Sequence, residues 1–204
     1  MNKKTINMLI LIILLIIVSF IIYFFYRDNK TDDNDNKVEV LEEIKAYDYQ
    51  LTVDKTDLFK ELFAELANLL KDDDYDEKNY AELVAKLFVT DFYDLESKIT
   101  KDDVGGLQFI SPMIKDNFLL KAKDTIYHHI ESNIYGDRKQ ELPSVTKVEI
   151  IDIKSVTFQY EDIIDEKAYE LIIGCKYKKD MDYSNEIKLT IIHEGSKLNI
   201  VAVE

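Results

Sequence analysis

Cysteine, proline, glycine and tryptophan are all scarce: the 204 residues hold one, two, five and none of them. A lone Cys175 closes no internal disulfide, and no Cys-x-x-Cys or His-x-x-x-His pair occurs, so neither a disulfide scaffold nor a structural zinc module is expected. Only Gly105 and Gly106 are adjacent, and they lack the further glycines and the strand–helix setting of a phosphate-binding loop. They read instead as a hinge or a point of close backbone approach. Bases are also few, 26 against 40 acids. Three of them, Lys3, Lys4 and Arg27, precede residue 28, which leaves 23 bases against 40 acids in residues 28–204, a net of −17. Such a charge repels phosphate backbones and anionic lipid headgroups, so no nucleic-acid partner is expected.

What is present begins with a run from Met8 to Tyr26, nineteen residues without a charge and nearly all Ile, Leu, Val, Phe or Tyr. As a helix it would span roughly 28 Å, close to the hydrocarbon thickness of a bilayer. It exceeds the apolar core of a signal peptide, offers no small-residue cleavage site, and ends in the aromatic Tyr23–Tyr26 suited to a membrane interface. Residues 1–27 are therefore expected to form an uncleaved, single-pass anchor in the cell membrane. The short tail with Lys3 and Lys4 favours a cytoplasmic N-terminus and an extracytoplasmic C-terminal domain. Residues 28–37 contain no apolar side chain and read as an acidic, disordered tether.

Residues 38–204 have the apolar content of one globular domain. Tyr47 to Val53 alternate as a short strand. Leu58 to Leu70 then carry an apolar stripe at helical spacing, capped by Asp54 or Thr56. The turn Asp72–Glu77 is acidic, but the sixth and twelfth positions of a calcium loop starting at Asp72 are Glu77 and Leu83 rather than Gly and Glu, so a solvated turn is expected. A second helix is read over about Asn79–Ser97, and a third from the Ser111-Pro112 start to Asn133.

Three polar residues stand out as pocket candidates. Asp91 interrupts the apolar stripe of the second helix, where an unpaired carboxylate would cost several kcal/mol. It is either a pocket acid or base, or a structural aspartate bonded to a tyrosine or a backbone amide. His129 lies beside the stripe of the third helix. Its neighbour His128 is about 100° away round the helix, so the two cannot chelate one metal. His193 ends a strand on its apolar side. No nucleophile–base context, cofactor fingerprint or metal set accompanies them, and no cofactor or metal is expected.

After Pro143 the periodicity is that of strands: Val145–Tyr160, Tyr169–Tyr177, Ile187–His193 and Leu198–Ala202. A two-residue turn at Gly195-Ser196 predicts the pairs His193–Leu198, Ile191–Ile200 and Leu189–Ala202, an antiparallel meander with one covered face and Cys175 in its core. The fold class is α+β, amphipathic helices packed on a curved four-stranded sheet behind a transmembrane helix.

This element order over residues 47–204 resembles the nuclear-transport-factor-two-like (cystatin-like) superfamily. Membrane-anchored members of that superfamily include assembly components of type IV secretion and conjugation machines. The resemblance implies a cone of helices against the sheet and a protein partner at the cell envelope. Its enzyme members resemble ketosteroid isomerases and dehydratases, which implies the alternative of a cone-pocket enzyme or small-ligand-binding protein using Asp91 with His129 or His193. A binding or assembly module without catalysis is the preferred expectation. A cavity lined by Asp91 and a histidine would favour the alternative.

Overall fold

The computed structural model describes residues 39–161 and 163–204. The expected anchor and tether, residues 1–37, lie outside the described residues. Among the described residues no helix is long and apolar enough to cross a membrane.

The described chain opens with a hairpin: strand β1, Val40–Ile44, pairs antiparallel with strand β2, Tyr49–Thr52. Only the second strand is legible from alternation, because β1 is almost wholly exposed. Asp48 takes the left-handed backbone that closes the turn, a conformation its short polar side chain tolerates. Thr56 then caps helix α1, Asp57–Leu69, its hydroxyl accepting the Phe59 amide at 3.3 Å. After the acidic turn Asp76 accepts the Lys78 amide and starts helix α2, Glu77–Phe92.

Helix α2 is the axis of the core. Eleven of its residues are buried, among them Tyr80, Val84, Leu87 and Phe88 as well as Thr90 and Asp91. Each such Leu or Phe contributes about 1.5–3 kcal/mol relative to exposure. The helix stops at Phe92, earlier than the expected Ser97, and the chain bends so that the Glu96 amide meets the Pro143 carbonyl.

Helix α3 covers only Lys115–Asp124, where a helix from Ser111 to Asn133 was expected. At its start the Ser111 hydroxyl donates to Glu194 and accepts the Met113 amide, which holds a turn rather than a cap. At its end Thr125 leaves helical geometry, its hydroxyl bonded back to the Lys121 carbonyl. His128 and His129 therefore lie in turns.

The four remaining strands form one antiparallel sheet in the order β3-β4-β5-β6: Val145–Tyr160, Ile163–Tyr177, Glu186–Glu194 and Lys197–Val203. Leu171, Ile173, Cys175, Ile187, Leu189, Ile191, Leu198 and Ile200 face the helices and are buried. The pairs His193–Leu198 and Ile191–Ile200 occur as expected. Leu189 stands opposite Val203 rather than Ala202, because the register shifts between Thr190 and Ile191. Ala168, Ile192 and Val201 form a small second cluster with Met113, Val156 and Phe158 against it. The coarse α+β expectation, helices on a four-stranded antiparallel sheet, is met.

Candidate functional site

Asp91 occupies the last turn of α2, where the helix dipole disfavours a carboxylate. The surrounding chain supplies the compensation. Lys55, in the turn before α1, places its ammonium 3.0 Å from both Oδ1 and Oδ2. Lys98, from the loop after α2, donates to Oδ1 at 2.7 Å while only 4% exposed. The Gly106 amide donates to Oδ2 at 2.8 Å. Each oxygen thus holds two donors, which fills the roughly four acceptor positions of a carboxylate. Burial pushes the Asp91 carboxyl up, but the Lys98 and Lys55 charges and the Gly106 bond outweigh it and bring it down to about 2. For Lys55, burial pulls the ammonium down and is likewise outweighed by Asp91, so it is raised.

Both glycines are required by this arrangement. A Cβ at Gly105 would lie 2.2 Å from the Asp91 carbonyl oxygen. Gly106 has a φ of +76°, and a Cβ there would lie 2.7 Å from Phe88 Cδ2. Buried Tyr127 completes the clamp: its hydroxyl accepts the Gly105 amide at 3.1 Å and donates to the Phe92 carbonyl at 2.6 Å. The loop reading of Gly105-Gly106 as a close approach is therefore correct in kind, and its object is Asp91.

A cavity of about 210 Å³ opens beside this cluster, lined by Gln50, Thr52, Lys55, Asp91, Val104, Gly106, Leu107 and Gln108. No histidine lines it. His193 sits elsewhere, at the end of β5. Its backbone amide and Nδ1 both meet Asp165 Oδ2, at 2.8 and 2.9 Å, and its Nε2 lies 3.1 Å from Glu77 Oε1. Tyr169 donates to the same Glu77 oxygen at 2.8 Å. Burial lowers the imidazole and the two carboxylates more than offset it, so His193 is raised above its ordinary 6.5. The residue pins the start of α2 to strands β4 and β5. His129 is exposed, its ring edge-on to His128, and its carbonyl accepts Gln140 Nε2 at 2.8 Å. Asp91, His129 and His193 thus share no hydrogen bond or ion pair.

Other cavities lie elsewhere on the surface. One of about 300 Å³ runs between α3 and the end of β6, bounded by Phe92, Phe118, Ile126, Val201 and Val203 with Lys121 and Glu204 at its edge. Another of about 680 Å³ is polar and contains Asp48, Lys115, Glu194, Lys197 and Asn199. There the Lys197 ammonium stands 4.4 Å over the Tyr49 ring, and burial pulls it down. Among the described residues no three His, Cys, Asp or Glu side chains are grouped to hold a metal ion.

Sequence reasoning singled out Asp91 but not its lysines. Lys98 is a charged residue that composition assigns to solvent, and its signal is spacing, seven residues after an aspartate already on the core stripe. No family model matches the chain, and no curated protein or solved structure is significantly similar to it.

Proposed function

We propose that the chain is a membrane-anchored, extracytoplasmic binding or assembly module. The observation that carries this reading is the saturation of Asp91: four hydrogen bonds from two ammonium groups and an amide leave its carboxylate no vacant acceptor for proton transfer. The space between α2 and the sheet is filled by Tyr49, Tyr80, Phe88, Phe109, Leu171 and Ile173, all buried. Apolar side chains are instead displayed at the far end of the β3–β4 hairpin, where Tyr160 and Ile164 are 52% and 60% exposed. Glu161 and Glu166 flank them, which suits a partner with basic residues around an apolar centre. The anchor at residues 8–26, the tether and the likeness to envelope assembly components belong to the same reading.

The test is photo-crosslinking in living cells from a photoreactive residue at Tyr160 or Ile164 of the full chain, with exposed Glu65 on α1 as control. The module yields a discrete protein adduct from the hairpin and none from Glu65. Protease added to wall-stripped cells should also remove the domain. Equal labelling from all three positions, or full protection from protease, contradicts the proposal.

A further inference from the structure

Strand β3 is an edge of the sheet, with no neighbour on its outer side among the described residues. An open edge invites another strand, and bulges on it are a device that refuses most of them. The register of β3 against β4 shifts at three places, before Lys147, after Val156 and, between them, at Ile151, the extra residue between the pairs Ile150–Ile173 and Asp152–Ile172. On the near side of it Val148 and Ile150 face the helices and Glu149 faces away. Beyond it Ile153 and Ser155 face the helices while Asp152 and Lys154 face away. A regular strand added along this edge would match faces on one side of Ile151 and mismatch them on the other.

One strand carries the same interruption at the same level, and that is β3 of a second copy running antiparallel. Placed with Ile151 of each copy opposite Asp152 of the other, the segment Lys147–Val156 pairs face for face with itself. Ile150 meets Ile153, Val148 meets Ser155 and Glu149 meets Lys154, each twice because the arrangement is two-fold symmetric. The ladder alternation agrees as well. Ile150 and Ile153 oppose Ile173 and Leu171, two residues apart on a regular stretch of β4, so their backbone groups point to the same edge.

Charge then selects this register. Within one chain Lys147 lies 2.5 Å from Glu149, and Lys154 2.6 Å from Glu170. Pairing Glu149 with Lys154 of the second copy continues that alternation without a break across the junction. Sliding the copies by two residues one way sets Ile150 against Ile151, on opposite faces, and brings Lys147 against Lys154 and Glu149 against Asp152. Sliding them the other way sets Asp152 against Ile153, again on opposite faces, and leaves Glu149 and Lys154 opposite Val156 and Ile151, without a charge partner. We infer that the chain forms a symmetric dimer through β3, joining two sheets into one of eight strands, with Glu149 and Lys154 fixing the register.

The test uses the full chain in detergent micelles. Glu149→Cys and Lys154→Cys are made in separate chains, mixed, and treated with a short bismaleimide. The mixture should give a crosslinked dimer and each single variant alone should not, because position 149 lies opposite 154 and far from its own symmetry mate. Buried Cys175 sets the background, read from the parent chain. Glu149→Lys alone should weaken dimerisation about tenfold by sedimentation, since two attractive cross-strand pairs become repulsive. Glu149→Lys with Lys154→Glu should restore it. A monomeric parent chain overturns the dimer. Crosslinking as strong from either single variant overturns the register, and so does a double charge swap that fails to restore association in a chain whose circular dichroism is native.

Discussion

Lys98 and Asp91 meet at 2.7 Å, the lysine side chain 4% and the aspartate 6% exposed. Two charges taken so far out of water are costly to separate, because either one alone would be left buried without a counter-ion. The pair is joined by Lys55 at the margin and by the Gly106 amide, so a helix end, a preceding turn and a following loop converge on a single carboxylate.

This convergence makes Gly106 intolerant of substitution. Its φ of +76° and the Phe88 ring both oppose a side chain. Gly106→Ala should destabilise the domain by about 1–3 kcal/mol through backbone strain and overpacking. Urea unfolding measures the loss, and an unchanged midpoint would mean the loop is free to move away from Asp91.

The amino-terminal hairpin is tied to the sheet through hydroxyls. Tyr49 and Tyr80 share a 2.8 Å hydrogen bond, Tyr49 donates to the Leu198 carbonyl at 3.1 Å, and the Leu198 amide donates to Tyr80 at 3.2 Å. Tyr49→Phe keeps the ring and removes the bridge, leaving buried groups unpaired at a cost of about 1–3 kcal/mol. Hydrogen exchange should show the hairpin amides losing protection first, and unaltered exchange would show that the rings alone dock it.

His193 gives stability a dependence on pH above 6.5. Its folded value is raised, with Asp165 and Glu77 outweighing burial, and Tyr169 and Glu77 face it from β4 and α2. A raised value means the imidazolium's contribution is complete below 6.5 and lost as pH climbs through the folded value. Unfolding free energy should therefore fall as pH rises above 6.5 through the folded value, and His193→Gln should flatten that slope. A parent slope retained in the variant would assign the effect to another group.

The sheet was largely legible in the sequence because period-two alternation, a two-residue Gly-Ser turn and one covered face all pointed to one register. The bulge at Thr190–Ile191 was not, since a one-residue shift near the chain end leaves the apolar pattern intact. Strand β1 escaped notice because both its faces are wet. The long third helix does not form although Phe118, Ala122 and Ile126 keep helical spacing: a tertiary bond from Ser111 to Glu194 holds the chain before it, and at Thr125, whose hydroxyl bonds locally to the Lys121 carbonyl, the backbone leaves helical geometry. At the candidate site, Asp91 was visible as a carboxylate on an apolar stripe. Lys98 was not, because nothing local distinguishes a buried lysine from a solvated one.

Asp91 also sets the acid limit of the fold. Its carboxyl, held at about 2, contributes stability that is present above the ordinary 3.8 and lost as pH falls toward the folded value. Acid unfolding followed by near-ultraviolet circular dichroism should begin at higher pH in any variant lacking Lys55 or Lys98. An onset that does not move in Lys98→Met would separate acid unfolding from this carboxylate.

The most direct measurement is a double-mutant cycle at Asp91 and Lys98. If the carboxylate is structural, Asp91→Asn and Lys98→Met each cost about 3–5 kcal/mol, because each strands a buried group of its partner. The double variant should lose clearly less than the two together, since no unpaired charge remains on that side of the cluster. Thermal or urea unfolding of the four proteins reads the coupling. An Asp91→Asn variant as stable as the parent or more so, the behaviour of a residue kept for chemistry at the expense of stability, would contradict it.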